Sequence, residues 1–343
     1  IIEDNHIHHI NNMMELGGAE IAGIKMHAAI DVIMRRNHIH HCTMGIWCDW
    51  EAQGTRLSQN LLHDNQRPAF AKQLKGGMMC QDIFVEVGHG PTLIDNNILL
   101  SDASLRFATQ GVAMVHNLIC GALTCVGEGT SWRYTPYHMP HRTEVMGFMT
   151  ILHGDDRFYN NIFVQKWHSE DFITMHDSDD GFDSENRKVG TWMFDEYPTY
   201  DEWISQFDFT KPADMKKLES VHFDHLPVWS EGNVYLNGAK AWKHEKNGFV
   251  SSENAKVELT EKDGKYFLDT NIYEVLEDFS GRMINTKVLG KAFEPEEFFE
   301  NPDGTPITFD TDYFGGHRGA KVIPGPFAEK EDVGKNVNIC TAF

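Results

Sequence analysis

The sequence predicts an all-β protein built on a parallel β-helix, with a loop-rich insertion and an antiparallel β-sheet or β-sandwich region after it. Three observations predict this fold. An asparagine recurs directly before short apolar strands, the basic spacing of these asparagines is about 20–23 residues, and no amphipathic helix lies between them. Repetition at such a period is typical of solenoid proteins, in which each coil buries its apolar face against the next coil.

The repeat is visible when seven segments are aligned on their asparagines. The gaps are 32, 23, 37, 20, 44 and 72 residues, so the gap of 44 fits two periods and the gaps of 32, 37 and 72 require insertions. Asparagine tolerates the left-handed conformation that a coil corner needs, and stacked asparagine side chains can hydrogen-bond along the ladder. A leucine-rich solenoid is the alternative, but its leucine spacing is missing. The anchors are Asn5, Asn37, Asn60, Asn97, Asn117, Asn161 and Asn233.

Four regions follow from this pattern. Residues 1–166 are predicted to form the β-helix coils that carry the candidate site. Residues 167–225 include DSDDGFDSEN and YDEWISQF and predict a loop-rich, partly helical insertion. Its acids lack the spacing of an EF-hand, so we interpret them as a solvated loop. Residues 226–249 return to the β-helix. Residues 250–343 contain AKVELTEKDGKYFLDT, two alternating strands around a Lys-Asp-Gly turn, and predict antiparallel strands packed on the coils.

The charge of the chain restricts its partners. The 343 residues include 30 Lys and Arg against 51 Asp and Glu, which gives a formal net charge of −21. This excess of acids disfavours nucleic acids and anionic membranes, because a polyanion would be repelled. No apolar run reaches the roughly 18 residues that a membrane helix needs. A neutral ligand such as a sugar is compatible with this charge.

The cysteine and histidine patterns predict no disulfide framework, no metal and no cofactor. Six scattered cysteines without a CxxC pair are interpreted as buried free thiols, which weakly favours a reducing, cytoplasmic compartment. The HIHH segments at 6–9 and 38–41 resemble metal ligands, but they repeat with the ladder, so we interpret them as stacked polar positions.

The chain starts at Ile1 without an initiator methionine, and we expect it to be part of a longer protein. Its localisation stays open, and a homo-oligomer is compatible with the sequence.

A second series of strands carries acidic residues at unexpected positions. In GIWCDWEA, strand alternation places Trp47 and Asp49 on the outward face and Trp50 on the inward face. In DIFVEVGHG, Phe84 and Glu86 point outward in the same way. Aspartate is disfavoured in strands, and an unpaired buried carboxylate is costly. We therefore expect function to select these acids, and the three aromatic rings suit stacking on a sugar ring.

The spacing predicts that three carboxylates stack on successive coils. Glu20 and Asp49 are 29 residues apart, which fits one coil plus a small loop. Asp49 and Glu86 are 37 residues apart, which fits one coil if residues 66–77 and a few neighbours form an insertion. Adjacent strands lie about 4.7–4.9 Å apart, so neighbouring carboxyls are predicted to lie about 5 Å apart. That distance is typical of retaining glycosidases, whereas inverting enzymes need about 6.5–9.5 Å.

Four segments, GAEIAGIK, GIWCDWEAQGTR, DIFVEVGHGP and GDDRFYNNIF, resemble glycoside hydrolase family 120, the β-xylosidases built on a right-handed parallel β-helix with a β-sandwich. The resemblance runs through residues 1–165 and again at GNVYLNGA (232–239). It implies that Asp49 is the nucleophile, Glu86 the general acid/base, and Glu20 a third carboxylate that tunes the pKa of its neighbour. It also implies the substrate, namely β-xylose at the non-reducing end of short xylo-oligosaccharides.

Two features depart from the family. Its members are longer at the N-terminus, so we expect early coils and part of the pocket wall to lie outside this chain. The insertion near 66–81, just before Glu86, does not belong to the family pattern. We expect it to reshape a subsite or to displace the acid.

Other function classes also use a β-helix. Polysaccharide lyases and epimerases act on uronates and usually place Arg or Lys near the reacting bond, and Arg106 on the next coil fits that role. A non-catalytic carbohydrate-binding protein is the third interpretation, which the aromatic residues fit and the paired acids do not. His89, Arg106 and Glu144 complete the candidate substrate-binding residues. The sequence leaves the exact sugar open.

Overall fold

The computed structural model describes most of the chain. The described residues are 1–11, 20–66, 80–125, 134–166, 189–221, 224–333 and 337. Most of the insertion predicted near 66–81 and the whole DSDDGFDSEN segment lie outside the described residues, so the predictions made for them remain predictions.

Within the described residues, the backbone winds through three parallel sheets, and strands of successive coils pair with one another. This is the predicted parallel β-helix. The first sheet contains Ile2–Glu3, Ile33–Arg35, Thr55–Ser58, Thr92–Asp95, Val112–Val115, Asp156–Tyr159 and Val228–Glu231. The second sheet contains His6–His8, His38–His40, Leu61–His63, Ile98–Leu99, Leu118–Ile119, Ile162–Val164, Val234–Leu236 and Phe249–Ser251. The third sheet contains Ile24–Met26, Ile46–Cys48, Ile83–Glu86, Ala103–Ala108 and Ala122–Cys125.

Short helices lie outside these sheets. The α-helices are Tyr200–Ile204, Met215–Val221, Ile272–Val275 and Thr286–Leu289, and 3₁₀ turns occur at Trp192–Phe194 and Lys330–Asp332. Thr199 caps the first of these helices, because its side chain accepts a hydrogen bond from the Glu202 N–H while the Glu202 side chain binds back. Among the described residues, none of the helices has the length and apolar character required to cross a membrane.

In the described part of the chain, two antiparallel hairpins accompany these sheets. Thr135–His138 pairs with Val145–Met149, and Val257–Lys262 pairs with Lys265–Thr270. The second hairpin turns at the predicted Lys-Asp-Gly sequence, where Asp263 and Gly264 have φ angles of 53° and 70°, as a two-residue hairpin turn requires. The antiparallel region expected after residue 250 takes the form of this two-stranded sheet, short helices and isolated antiparallel bridges, and not of a sandwich in its described part.

The asparagine ladder forms as predicted. The side-chain oxygen of each asparagine accepts hydrogen bonds from the backbone N–H and the side-chain amide of the asparagine one coil before it. Asn117 accepts these two bonds from Asn97 at 2.9 and 3.0 Å. From Asn37 to Asn233 the ladder side chains are fully buried. The stacking therefore satisfies polar groups that water does not reach.

Apolar side chains from all three sheets fill the inside of the coil. Ile39, Ile46, Leu57, Ile83 and Leu105 belong to this core, and all five are fully buried. Part of the predicted set of thiols lies here or nearby: Cys42, Cys48, Cys80 and Cys120 are free and buried, as the sequence predicted, Cys125 is free and partly buried, and Cys340 lies outside the described residues.

The region after residue 255 covers the outer faces of two sheets. Leu268 belongs to an apolar cluster with the second sheet, and Phe299 belongs to a cluster with the first sheet. The outer face of the third sheet carries a smaller apolar cluster, in which Trp47 and Phe84 take part. This is the face on which the sequence places the candidate carboxylates.

Candidate active site

The third sheet brings two of the predicted carboxylates side by side. Trp47 pairs with Phe84 on the next coil, so Asp49 and Glu86, two residues further along each strand, are neighbours on adjacent coils. The 37 residues between them therefore span one turn of the β-helix, as the sequence predicted.

Local sequence fixes the position of this strand pair. A Cβ at Gly45, just before the strand Ile46–Cys48, would lie 2.4 Å from the Asp82 backbone oxygen. Only glycine therefore lets the two coils approach at this point. After Asp49 the chain turns, and Glu51 takes a positive φ of 63°. The strand ends before Trp50, so strand alternation does not extend to that residue.

Asp49 is held by several donors on the outer face of the sheet. The residue is 4% exposed. Its Oδ2 lies 2.5 Å from the Lys25 Nζ and 2.8 Å from the His27 Nε2. Its Oδ1 accepts a hydrogen bond from the Trp50 N–H at 2.8 Å. These contacts fix the orientation of the carboxylate. They also compensate its negative charge and so offset the unfavourable free energy of burying it.

Glu86 has a different environment. The pKa of Glu86 is raised to about 7, first by burial and then by the charge of Asp49 and a hydrogen bond with its carboxyl. The hydrogen bond from Trp47, from Nε1 to Oε2 at 3.0 Å, and the charge of Arg106 act in the opposite direction. A carboxyl with a pKa near neutrality can give up and take back a proton, which is the property of a general acid/base.

Lys25 links the site to the third predicted carboxylate. Its ammonium forms ion pairs with Asp49 and Glu20 and lies 3.4 Å from the centre of the Trp47 ring. Burial alone would lower the pKa of Lys25, but the hydrogen bonds and charges of Asp49 and Glu20 outweigh it and leave the pKa raised. The positive charge therefore stays in place beside Asp49.

The predicted position of Glu20 in the carboxylate column is wrong. Ile24 pairs with Ile46, so Lys25 lies in register with Trp47. Glu20 precedes the strand, has a side chain that is 67% exposed, and forms an ion pair with Lys25 at the edge of the site. The separation of 22 residues between Ile24 and Ile46 equals the basic period, and aligning these two isoleucines would have found Lys25 from the sequence. The residue that aligns with Asp49 on the first of these coils is His27.

The aromatic residues divide into two groups. Trp47 and Phe84 are 3% and 1% exposed, and their rings pack against each other with centroids 5.3 Å apart. The expectation that their faces stack on a sugar is therefore wrong, because other side chains already cover them. Trp50 was expected on the inward face, but it is 38% exposed. Its side chain therefore keeps exposed surface next to Asp49.

The remaining predicted residues lie at different distances from the carboxylate pair. Arg106 packs over the Phe84 ring, with its guanidinium carbon 5.1 Å from the ring centre, and is 9% exposed. His89 is buried, and its Nε2 lies 3.1 Å from the Thr135 backbone oxygen. Glu144 lies next to the strand Val145–Met149 with a side chain that is 67% exposed and pairs with Arg142. The structure thus brings Arg106 close to Glu86, and the described contacts of Glu144 are with its own hairpin.

Sequence reasoning also missed the rim of the site. The Glu51 carboxylate lies 3.7 Å from the His138 Nε2, and the Gln53 amide binds both the backbone N–H and the backbone oxygen of His138. These contacts attach the hairpin Thr135–His138 with Val145–Met149 to the turn that follows Asp49. The hairpin is thereby fixed against the segment that follows Asp49 in the chain.

One group at the site has the composition of a cation site. Ligand atoms of Glu20, His27 and Asp49 lie within 4.8 Å of one another. The Lys25 ammonium already lies between Glu20 and Asp49 and supplies the positive charge. The arrangement accordingly favours chemistry performed by two neighbouring carboxyl groups, one oriented by Lys25 and the other with a raised pKa.

A comparison with solved structures identifies a similar protein. The complex structure of XylC with xylose aligns with this chain at a TM-score of 0.79 and 36% sequence identity. The alignment covers 94% of this chain and 45% of that chain, so this chain spans less than half the length of XylC. No family model and no curated protein matches the sequence.

Proposed function

Because the chain belongs to glycoside hydrolase family 120, we propose that it is a retaining glycosidase that releases β-xylose from the non-reducing end of short xylo-oligosaccharides. The observation that carries this proposal is the contact between Asp49 and Glu86, two carboxyls on adjacent strands of which Glu86 has its pKa raised to about 7. The similarity to a protein solved with xylose supports a pentose as the sugar.

In the first step both carboxyls act on the same glycosidic bond. The protonated Glu86 gives its proton to the glycosidic oxygen, and an oxygen of Asp49 forms a bond to the anomeric carbon as the bond to the leaving group breaks. The products of this step are the free leaving alcohol, a xylosyl ester of Asp49 and the Glu86 carboxylate.

In the second step Glu86 changes its role. As a carboxylate it takes a proton from water, and the oxygen of that water attacks the anomeric carbon and displaces Asp49. Xylose leaves and Glu86 is protonated again. A group that must serve as acid and then as base works best with a pKa near the working pH, and burial beside Asp49 provides that value.

The neighbouring residues orient this pair. Lys25 holds the Asp49 carboxylate through Oδ2, and Glu20 in turn holds Lys25. We assign Glu20 a positioning role on this basis, since it contacts the site through Lys25. Trp50 offers the exposed ring beside Asp49, and we assign it to the face of the xylose ring.

The environment of Arg106 argues against the interpretation of the chain as a lyase or epimerase that acts on uronates. That residue is 9% exposed and packs over Phe84, whereas a lyase or epimerase would need a basic group at the reacting carbon. The interpretation as a non-catalytic binding protein does not explain why two carboxyl groups are neighbours and why the pKa of one of them, Glu86, lies near 7.

The test uses Asp49→Asn and Glu86→Gln with two aryl β-xylosides, one with a poor and one with an activated leaving group, and a polyuronate in parallel. Asp49→Asn is expected to lose nearly all turnover of both xylosides. Glu86→Gln is expected to lose about 10²–10⁴-fold on the poor leaving group, the usual contribution of general acid catalysis. With the activated leaving group it should release one equivalent of phenol quickly and then stall.

Glu274→Gln is the matched control, because it neutralises an exposed carboxyl on the helix Ile272–Val275, which packs against the second sheet and not the third. It should keep wild-type turnover. Wild-type turnover in Asp49→Asn, or activity of the chain on the polyuronate alone, would refute the proposed function.

A further inference from the structure

A cluster of histidines covers the outer face of the second sheet on the first described coils. His6 lies in register with His38, and His8 lies in register with His40, which in turn pairs with His63. This face is distinct from the third sheet, which carries Asp49 and Glu86. The cluster consists of His6, His8, His9, His38, His40, His41 and His63.

Histidine rings of successive coils stack on each other along the second sheet. His6 stacks on His38 with ring centroids 4.6 Å apart, and His40 stacks on His63 at 4.9 Å. These two contacts agree with the interpretation of the HIHH segments as stacked polar positions. That interpretation does not predict how the nitrogens of different columns approach each other.

Ring nitrogens from neighbouring columns meet edge to edge. The Nε2 atoms of His6 and His40 are 2.7 Å apart, and those of His38 and His63 are also 2.7 Å apart. One ring nitrogen each from His6, His38 and His40 lies within 4.8 Å of the other two. Nitrogen atoms from three side chains on two coils thus lie close enough together to hold one metal ion.

The surroundings suit a bound cation. His38 is fully buried and His40 is 6% exposed, whereas His6 is exposed and leaves a path from solvent. Tyr266 of the hairpin Val257–Lys262 with Lys265–Thr270 covers the buried side, with its ring edge-on to His38 at 4.5 Å. The site is therefore half-enclosed and rigidly framed by three elements.

We propose that His6, His38 and His40 form a binding site for one zinc-class divalent cation, with His63 or a water molecule as the fourth ligand. Zinc binds imidazole nitrogen at about 2.0–2.1 Å in tetrahedral geometry, which places ligand nitrogens about 3.3 Å apart. Small rotations of the three side chains reach that spacing. Imidazole donors select zinc, copper and nickel over calcium and magnesium, which prefer oxygen.

The cation would act as a structural cross-link. It ties His6 of one coil to His38 and His40 of the next coil, on a sheet that does not carry the carboxylate pair. Binding to the folded state alone raises stability, so zinc is expected to raise the melting temperature without entering the glycosidase reaction.

The test is calorimetric titration of the untagged, EDTA-dialysed chain with Zn²⁺, together with thermal unfolding with and without the metal. One equivalent should bind, and the melting temperature should rise. His6→Asn changes an exposed side chain and should fold normally. It should weaken zinc binding by more than about 100-fold, since even outer-sphere partners contribute about 10–100-fold. His40→Asn should do the same, and its fold is checked by circular dichroism.

His8→Asn is the matched control, because His8 lies on the same strand, is likewise exposed and stacks on the His40 ring, but directs its Nδ1 to His9 and is not one of the three converging ligands. It should bind zinc within a few-fold of the wild type. The proposal is overturned if the wild type binds no stoichiometric zinc, or if His6→Asn and His8→Asn weaken binding equally, which would indicate adventitious surface binding. If His40→Asn does not fold, His6→Asn against His8→Asn decides alone.

Discussion

The indole of Trp47 donates a hydrogen bond from Nε1 to Oε2 of Glu86, at 3.0 Å across adjacent strands of the third sheet. Burial and the charge of Asp49 raise the pKa of Glu86, and this hydrogen bond opposes them because it favours the charged form. Trp47 is therefore a tuning residue whose ring is already buried, and its contribution can be read from the pH dependence of the reaction.

The first prediction concerns Trp47→Phe. The substitution keeps an aromatic side chain but replaces the indole with a smaller phenyl group that has no N–H donor, so the pKa of Glu86 should rise above its value of about 7. Glu86 acts first as an acid, so kcat/KM falls as pH rises through its pKa. This falling limb should begin near pH 7 in the wild type and move to higher pH in Trp47→Phe. A pH profile of aryl β-xyloside hydrolysis measures both.

The control for that shift is Trp229→Phe, which removes an indole from the first sheet, away from the third. It should leave the pH profile in place. A falling limb in Trp47→Phe that stays where it is or moves to lower pH would show that Trp47 does not tune Glu86.

The second prediction separates Lys25 from Glu20. Lys25→Gln leaves Asp49 as a nearly buried carboxylate without its ammonium partner, and removal of one member of such a pair costs about 3 kcal/mol or more. Glu20 has a side chain that is 67% exposed, and surface ion pairs contribute about 1 kcal/mol or less. Urea unfolding should therefore show a large loss for Lys25→Gln and a small one for Glu20→Gln.

Turnover should follow the same order. Lys25→Gln is expected to lower kcat strongly, because Asp49 loses the contact that orients it, whereas Glu20→Gln should keep most of the wild-type kcat. If Glu20→Gln is as inactive as Asp49→Asn, Glu20 acts on the substrate directly and the positioning role is wrong.

The third prediction concerns the asparagine ladder. Asn117 is fully buried and donates to the Ile94 oxygen at 2.7 Å and to the Asn161 Oδ1 at 2.8 Å. Asn117→Ala removes the donor to the Ile94 oxygen and the acceptor of both the backbone N–H and the side-chain amide of Asn97, at about 1–3 kcal/mol for each buried group left unsatisfied. The free energy of unfolding should fall by about 3 kcal/mol or more. Asn254→Ala, at an exposed position, should change it by about 0.5 kcal/mol or less. Equal effects of the two substitutions would contradict a structural role of the ladder.

The ladder and the carboxylate pair could be predicted from the sequence because both depend on the coil period. The asparagines occupy one corner of seven successive coils, from Asn5 to Asn233, and a residue type that repeats at the period must stack. Asp49 and Glu86 have the same separation as Asn60 and Asn97, 37 residues, so one insertion accounts for both. Register along a parallel coil follows from such counting.

The sequence predictions are wrong for residues whose position in the structure does not follow from their spacing along the chain. Glu20 lies before its strand, so its separation from Asp49 includes a loop of unknown path. Trp50 lies just after a strand end, where alternation stops. The burial of Trp47 and Phe84 depends on which other parts of the chain cover an outward face, and alternation along a strand does not contain that information. Lys25 could have been found from the coil period, but its contacts with Asp49 and Trp47, from which its importance follows, are visible only in the structure.

The central claim is that Asp49 attacks the sugar directly while Glu86, its neighbour on the adjacent strand, supplies and removes the proton. The most direct measurement is proton NMR of the first-formed xylose during hydrolysis of an aryl β-xyloside, recorded before mutarotation. Two displacements at the anomeric carbon should give the β-anomer first. The α-anomer as the first product would mean that water attacks in a single displacement, and it would contradict the assignment of Asp49 as nucleophile.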